Sequence, residues 1–335
     1  MSFYQPLSQK TGGLHCKLYH LHEPLPLSDI MPILENLGLR VMGEFPFCFE
    51  RKDGTQLWIH DFEFTYALDS SLNIQEVNEL FRDAFVQVWR GHAENDGFNR
   101  LVLLARMSWR DVSLLRAYAR YLKQIRLGFE LPYIANTLVG HADIARELVR
   151  LFKTRFYLAR KLSAADLEDM QQRLDQAIVG ALDGVAVLNE DRILRRYLDL
   201  IKATLRTNFY QNDDSGAVKD YISLKFNPRA IPELPLPRPM YEIFVYSPRF
   251  EGVHLRGGKV ARGGLRWSDR EEDYRTEVLG LVKAQQVKNA VIVPVGAKGG
   301  FVPRRLPLGG NRDEIQQEAI ACYRLFIKGL LDLTD

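Results

Sequence analysis

Apolar residues change their spacing along this chain, and each change marks a change in the structure to be expected. From Leu14 to about Gly91 two periods alternate. Cys16 to Leu21 reads as a strand. Ile30, Ile33, Leu34 and Leu37 then recur at helical spacing, with Ser28 placed to cap that helix and Gly38 to stop it. Strands are predicted over Leu39 to Gly43 and Pro46 to Glu50. Asp53-Gly54 signals a turn, and Leu57 to Tyr66 alternates as a half-buried strand does. Val77, Leu80, Phe81, Ala84, Phe85 and Val88 then form the apolar face of a second helix running toward Trp89. This order of elements predicts a small α+β sandwich, one sheet with helices on one face.

Between Asn99 and Tyr210 the period is helical almost throughout, and Pro132 is the single proline. Arg116, Arg120 and Lys123 fall at i, i+4 and i+7, and Arg192, Arg195 and Arg196 also lie close together. Acidic residues such as Asp111, Glu147, Asp191 and Asp199 are interleaved with them, which favours a solvated helix face over a nucleic-acid surface. Gln211 to Gly216 reads as a polar turn, followed by a strand at Ile222 to Phe226. Pro228, Pro232, Pro235, Pro237 and Pro239 predict an extended, non-helical stretch. Tyr241 to Tyr246 is a further strand.

Composition narrows the partners. The formal charge is +3, from 45 basic and 42 acidic side chains, so bulk electrostatics calls for neither nucleic acid nor an anionic membrane. The first twenty residues hold no apolar run of signal-peptide length, and no run of eighteen apolar residues occurs elsewhere. A cytoplasmic protein without a membrane span is expected. Cys16, Cys48 and Cys322 are scattered and odd in number, which fits no disulfide framework and no zinc spacing. His15, Cys16, His20 and His22 crowd one segment but lack paired ligand spacing, so they are read as part of a strand and no metal is expected.

From Phe250 the sequence becomes dense in glycine and in positive charge. Gly257, Gly258, Gly263 and Gly264 lie among Arg256, Lys259, Arg262 and Arg266. Adjacent glycines let a backbone approach a ligand or another strand, and the cations offer counter-charges to an anion. Ser268 and Glu271 have capping-box spacing, and Tyr274, Val278, Leu281 and Val282 define the buried face of the helix that would follow. Lys288 stands at the end of that stripe, where it either complements the helix dipole or meets a ligand. Ala290 to Val295 is a continuous apolar run that predicts a buried strand ending at Lys298, itself set among glycines. A phosphate-binding loop is the competing reading, a weak one because Lys298 follows Ala297 and precedes Gly299 instead of standing in Gly-Lys-Ser/Thr. No Gly-x-Gly-x-x-Gly turn follows a strand here.

Three ordered blocks now carry a resemblance: Arg262-Gly-Gly-Leu-Arg-Trp, Gln286-Val-Lys-Asn-Ala and Pro294-Val-Gly-Ala-Lys298-Gly-Gly. Together they resemble the signature of glutamate dehydrogenases, and Ala-Arg-Gly-Gly-Leu-Arg-Trp-Ser-Asp-Arg is similar to their large NAD-specific class. The segment from Leu27 to Val41 is similar to that class as well. The resemblance implies an ACT-like α+β domain over 1–98, a helical region over 99–212, and over 213–335 the start of the α/β substrate-binding domain. It implies Lys298 as the catalytic lysine and Lys288 as a lysine that holds a substrate carboxylate. Arg262, beside Gly263 and Gly264, stands where shorter members have another carboxylate-binding lysine.

The activity so implied is oxidative deamination of L-glutamate to 2-oxoglutarate and ammonia. Lys298 would be the acid/base, which requires its pKa to fall from about 10.4 toward neutrality. The resemblance also implies NAD, bound by a domain that these 335 residues lack, together with a catalytic aspartate beyond them. On that reading the chain is a central fragment, inactive alone, of an enzyme that forms homo-oligomers. Two other readings stand beside it: a regulatory module binding an amino-acid effector, and a basic helical scaffold for RNA, which would show steep salt dependence.

Overall fold

Strict alternation builds the first sheet. The computed structural model describes residues 1–4, 13–66, 74–157, 163–260, 262–288, 296–307 and 309–334, without the side chains of residues 2, 74 and 286–288. Its residues fall into two units, Met1–Ser113 with Ala135–Arg146 and Leu114–Ile134 with Glu147–Asp335.

In the first unit β1 (Ser2–Tyr4), β2 (Leu14–Leu21), β3 (Leu39–Glu50) and β4 (Gln56–Tyr66) pair antiparallel in the order β1-β2-β4-β3. α1 (Leu27–Asn36) and α2 (Ile74–Trp89) supply the apolar faces that the sequence predicts. Ile30, Ile33, Leu34, Val77 and Phe81 are buried with Cys16, Leu18, Phe62 and Phe64 of the sheet. Phe3 stacks on Phe81 with ring centroids 4.7 Å apart.

Two expectations need correction here. Ser28 is not the cap: α1 begins at Leu27 behind Pro26, and the Ser28 hydroxyl donates to Asp29 instead. The two strands expected between Leu39 and Glu50 are one, because a bulge at Met42 absorbs the extra residue while Val41 and Gly43 keep pairing with Phe64 and Glu63. β1 went unread because three residues carry too little periodicity. Gly38 does stop α1, at φ 90°, with its N–H donating to the Glu35 carbonyl.

Among the described residues six helices follow: α3 (Arg100–Leu104), α4 (Trp109–Gln124), α5 (Leu131–Gly140), α6 (Ala142–Phe156), α7 (Ala164–Leu182) and α8 (Leu188–Ala203). The basic stripe of α4 is not solvated. Arg116 is 1% exposed, Arg120 faces Glu251 at 3.4 Å, and Lys123 reaches Glu272 at 2.6 Å. A one-dimensional pattern shows which residues share a helix face but not which carboxylates that face will meet. Arg192, Arg195 and Arg196 of α8 are likewise taken up by Glu233, Asp183, Asp191 and Asp199.

The stretch expected to stay helical to Tyr210 instead turns into a strand at Thr204. Its hydroxyl donates to the Leu200 carbonyl at 2.7 Å and closes α8. β5 (Thr204–Thr207), β6 (Ile222–Phe226), β7 (Tyr241–Tyr246), β8 (Phe250–Arg256), β9 (Leu265–Trp267) and β10 (Ala297–Pro303) form a sheet in the order β5-β6-β7-β8-β10-β9. All its pairs are antiparallel except β10 with β9. The proline-rich segment contains one short 3₁₀ turn, Pro228–Ala230, which Asn227 caps, so it is not wholly extended.

Helices cover both faces of this sheet. On one, Ile243, Val245, Phe250 and Phe301 pack with Cys322, Phe326 and Leu330 of α10 (Arg312–Leu331). On the other, Phe226 and Phe244 meet Tyr121 at 4.5 and 5.4 Å between centroids. α9 (Tyr274–Lys288) lies on that second face with Tyr274, Val278 and Val282 buried. Arg275 of α9 forks onto Glu242 of β7 at 2.6 and 2.7 Å, and both side chains are out of solvent. Burial alone would lower the Arg275 pKa, but the facing Glu242 carboxylate more than reverses this and holds it above its ordinary value. Among the described residues no helix is long and apolar enough to cross a membrane.

Candidate active site

The glycine-dense segment after β8 is built to lie against the start of β10. Ala297 N–H donates to the Arg262 carbonyl at 2.8 Å and Gly299 N–H to the Gly264 carbonyl at 3.2 Å, extending the parallel ladder of β9 and β10. Gly257 N–H reaches the Gly296 carbonyl at 3.0 Å. A Cβ on Gly263 would stand 1.5 Å from the Ala297 carbonyl oxygen, and one on Gly296 would stand 2.3 Å from that of Arg262. Those two positions therefore exclude any side chain. The absence of two methyl groups lets the chain segments carrying Arg262 and Lys298 run side by side.

Of the residues singled out by the sequence, Arg262, Gly263, Gly264 and Lys298 are thus brought together. Arg262 and the two glycines are exposed, and Lys298 is partly buried as the second residue of β10. Lys288 ends α9, and its side chain lies outside the described residues. The strand expected at residues 290–295 also lies outside them.

The helix start differs from expectation. α9 begins at Tyr274, so Ser268 and Glu271 form no capping box. Ser268 instead continues the β9 ladder, its N–H donating to the Phe301 carbonyl and its hydroxyl to Glu277 at 2.5 Å. Glu277 also binds Arg266 at 3.1 Å. Arg256 donates to the carbonyls of Gly258 and Lys259. The surplus cations of the segment are thus partly engaged within the protein.

Two neighbours of the site were not singled out by the sequence. Gln285 brings its amide nitrogen 2.6 Å from where a Gly296 Cβ would be; its i, i+3 relation to Lys288 was the available signal. His254 of β8 pairs with Gly299. Burial, and then the neighbouring Arg256, push its pKa down from 6.5 to about 4, so it is neutral at pH 7. Nothing in its sequence context marked it, since its burial depends on strand pairing.

Three families match successive parts of this chain. Residues 1–77 match the glutamate dehydrogenase ACT3 domain, residues 93–158 glutamate dehydrogenase helical motif 3, and residues 177–335 the bacterial NAD-glutamate dehydrogenase catalytic domain. Over all 335 residues the chain is 76% identical to a protein of Pseudomonas aeruginosa named NAD-specific glutamate dehydrogenase, and it covers 21% of that protein. The chain belongs to the NAD-specific glutamate dehydrogenase family. A Halomonas elongata protein of the same name is 55% identical over the full chain, which covers 20% of it. A Mycobacterium tuberculosis protein, also so named, is 48% identical over 92% of the chain and 20% of its own length. The chain thus spans about a fifth of the length of these glutamate dehydrogenases. The resemblance read from the three motif blocks is borne out, as is the mixed α/β fold with an ACT domain, a helical region and a catalytic domain.

Proposed function

We propose that this chain carries the substrate half-site for NAD-dependent oxidative deamination of L-glutamate to 2-oxoglutarate and ammonia. The observation that supports it is the backbone pairing of Arg262 and Gly264 with Ala297 and Gly299, which flank Lys298. Glutamate presents two carboxylates and an amino group. Arg262 and Lys288 are the cations for the carboxylates, each interaction being a charge-assisted hydrogen bond. An arginine at 262 brings a planar fork where an ammonium would bring a point charge. Lys298 is the acid/base at the substrate α-carbon, where water adds to the imine.

Among the described residues, neither the glycine-dense segment nor the start of α10 fits the pyrophosphate of a dinucleotide. The glycine segment 257–264 is bonded to 296–299 and opens no helix. The N-terminus of α10 is closed by a capping box, in which the Asn311 N–H donates to the Glu314 carboxylate and the Glu314 N–H to the Asn311 side chain. We assign NAD binding to another part of the longer enzyme, which leaves substrate binding and proton transfer to the residues of this chain.

Calorimetric titration of 2-oxoglutarate at low salt tests the half-site. The unaltered chain should bind it, and Lys288→Ala should weaken binding by about tenfold or more, the loss of one charge-assisted contact. Absence of binding to the unaltered chain would refute a preformed half-site.

A further inference from the structure

We propose that Gln124 of α4 is a positioning residue for the glutamate site: it holds the start of α9, the helix whose other end carries Gln285 and Lys288. Its effect on substrate rests on the half-site proposed above. Gln124 falls in the stretch that matches helical motif 3, and α9 in the stretch that matches the catalytic domain. Both belong to the second unit. The helical motif thus supplies part of the framework of the site and is more than a spacer.

Gln124 is 3% exposed and uses both ends of its amide. Its Oε1 accepts from the Arg275 N–H at 3.2 Å, and its Nε2 donates to the Glu271 and Glu272 carbonyls at 3.0 and 3.3 Å. A helix leaves the N–H groups of its first turn without helical partners, and a side chain that accepts from one of them caps it. Here the accepting side chain comes from another helix, 151 residues away in sequence. The same turn is gripped from outside, Glu272 by Lys123 at 2.6 Å and Glu271 by Arg304 at 2.9 Å. Both carboxylates are more than half exposed, so these ion pairs contribute little beside the buried amide.

Direction matters because much of α9 is held by apolar contact. Val278 and Val282 are buried, and a Cβ on Gly300 of β10 would stand 2.7 Å from a Val278 methyl carbon, so the helix lies close on β10. Lys298 pairs with Leu255, which pairs with Glu242, the partner of Arg275; Lys298 is therefore on the face of the sheet that α9 covers. Apolar burial is non-directional and tolerates a slide along the helix axis, whereas hydrogen bonds do not. Two directional contacts, the Gln124 amide and the fork of Arg275 onto Glu242, thus set where α9 stands. A helix of 15 residues is a rod about 22 Å long, and a shift at its start is carried to Gln285 and Lys288. Of the two contacts only that of Gln124 can be removed without leaving a buried charge.

Gln124→Met fills the same space and makes none of the three hydrogen bonds. 2-Oxoglutarate titrated calorimetrically into the 335-residue chain, at a temperature where circular dichroism shows both proteins folded, should bind the variant about three- to thirtyfold more weakly, the span that residues linked to a site from a distance command. A merely structural residue would lower the melting temperature and leave that affinity alone. Gln124→Glu, which still accepts from the Arg275 N–H but loses the two donated bonds, should fall between the two, and it serves if Gln124→Met does not fold. Equal affinity in variant and unaltered chain would overturn the proposal. If the unaltered chain binds no 2-oxoglutarate, the half-site itself fails and hydrogen exchange decides the positioning: the last turn of α9 should exchange at least about three times faster in the variant while β6 and β7 keep their protection. Unchanged exchange at that turn would then overturn it.

Discussion

The two sheets of this protein bury their strands to different depths. In the first, α1 and α2 cover one face, while the other displays Phe45, Phe47 and Phe49 of β3, each about half exposed, beside Tyr19 of β2. In the second, α10 covers one face and α4 with α9 the other, so β7 is buried from Glu242 to Tyr246. A strand with one dry face tolerates charge on its wet side. A strand with two dry faces must neutralise every charge it carries, and β7 does so by pairing Glu242 with Arg275.

The largest effect should follow from breaking that pair. Glu242→Gln keeps the shape but leaves a buried guanidinium without its counter-charge, which should cost about 3–5 kcal/mol. Hydrogen exchange read over the second unit should report the loss, and protection in β2 and β4 should stay as it was. Equal loss in both units would mean that the two sheets unfold as one.

The same contrast governs what the sequence made legible. The first sheet alternates cleanly, so β2, β4, α1 and α2 were readable from periodicity, and only the bulge at Met42 and the short β1 escaped it. In the second unit the apolar strands β6 and β7 were also legible. The fate of the arginines was not, because Arg116, Arg120 and Arg275 depend on partners or packing distant in sequence. For the site, the glycines announced a close approach without naming the partner. Only the structure shows that Gly263 lies on the Ala297 carbonyl and Gly296 on that of Arg262.

A second effect, of intermediate size, concerns acid. His254 lies in the covered sheet with a pKa of about 4 against 6.5 for the free side chain. Below pH 6.5 the unfolded chain takes up a proton that the folded one refuses. Stability is therefore complete above pH 6.5 and falls as pH drops toward 4, by about 3 kcal/mol for this group. His254→Gln should remove that part of the acid sensitivity. Urea midpoints measured at pH 7 and pH 4.5 check it: an unchanged difference between the two would show that other groups set the acid limit.

The smallest effect belongs to the open face of the first sheet. Phe47 pairs with Ile59 near the middle of β3, yet about half of its surface remains in water. Replacing it by serine removes little apolar burial and creates no cavity, so Phe47→Ser should change stability by no more than about 0.5 kcal/mol. Phe62, on the adjacent strand but facing the helices, has no exposed surface, and a cavity there would cost about 3–5 kcal/mol. Thermal unfolding of Phe47→Ser beside Phe62→Ala measures the difference between the two faces of one sheet directly. If Phe47→Ser proved as damaging as Phe62→Ala, the face that carries Phe45, Phe47 and Phe49 would be closed in solution, and the contrast between the sheets would be one of degree.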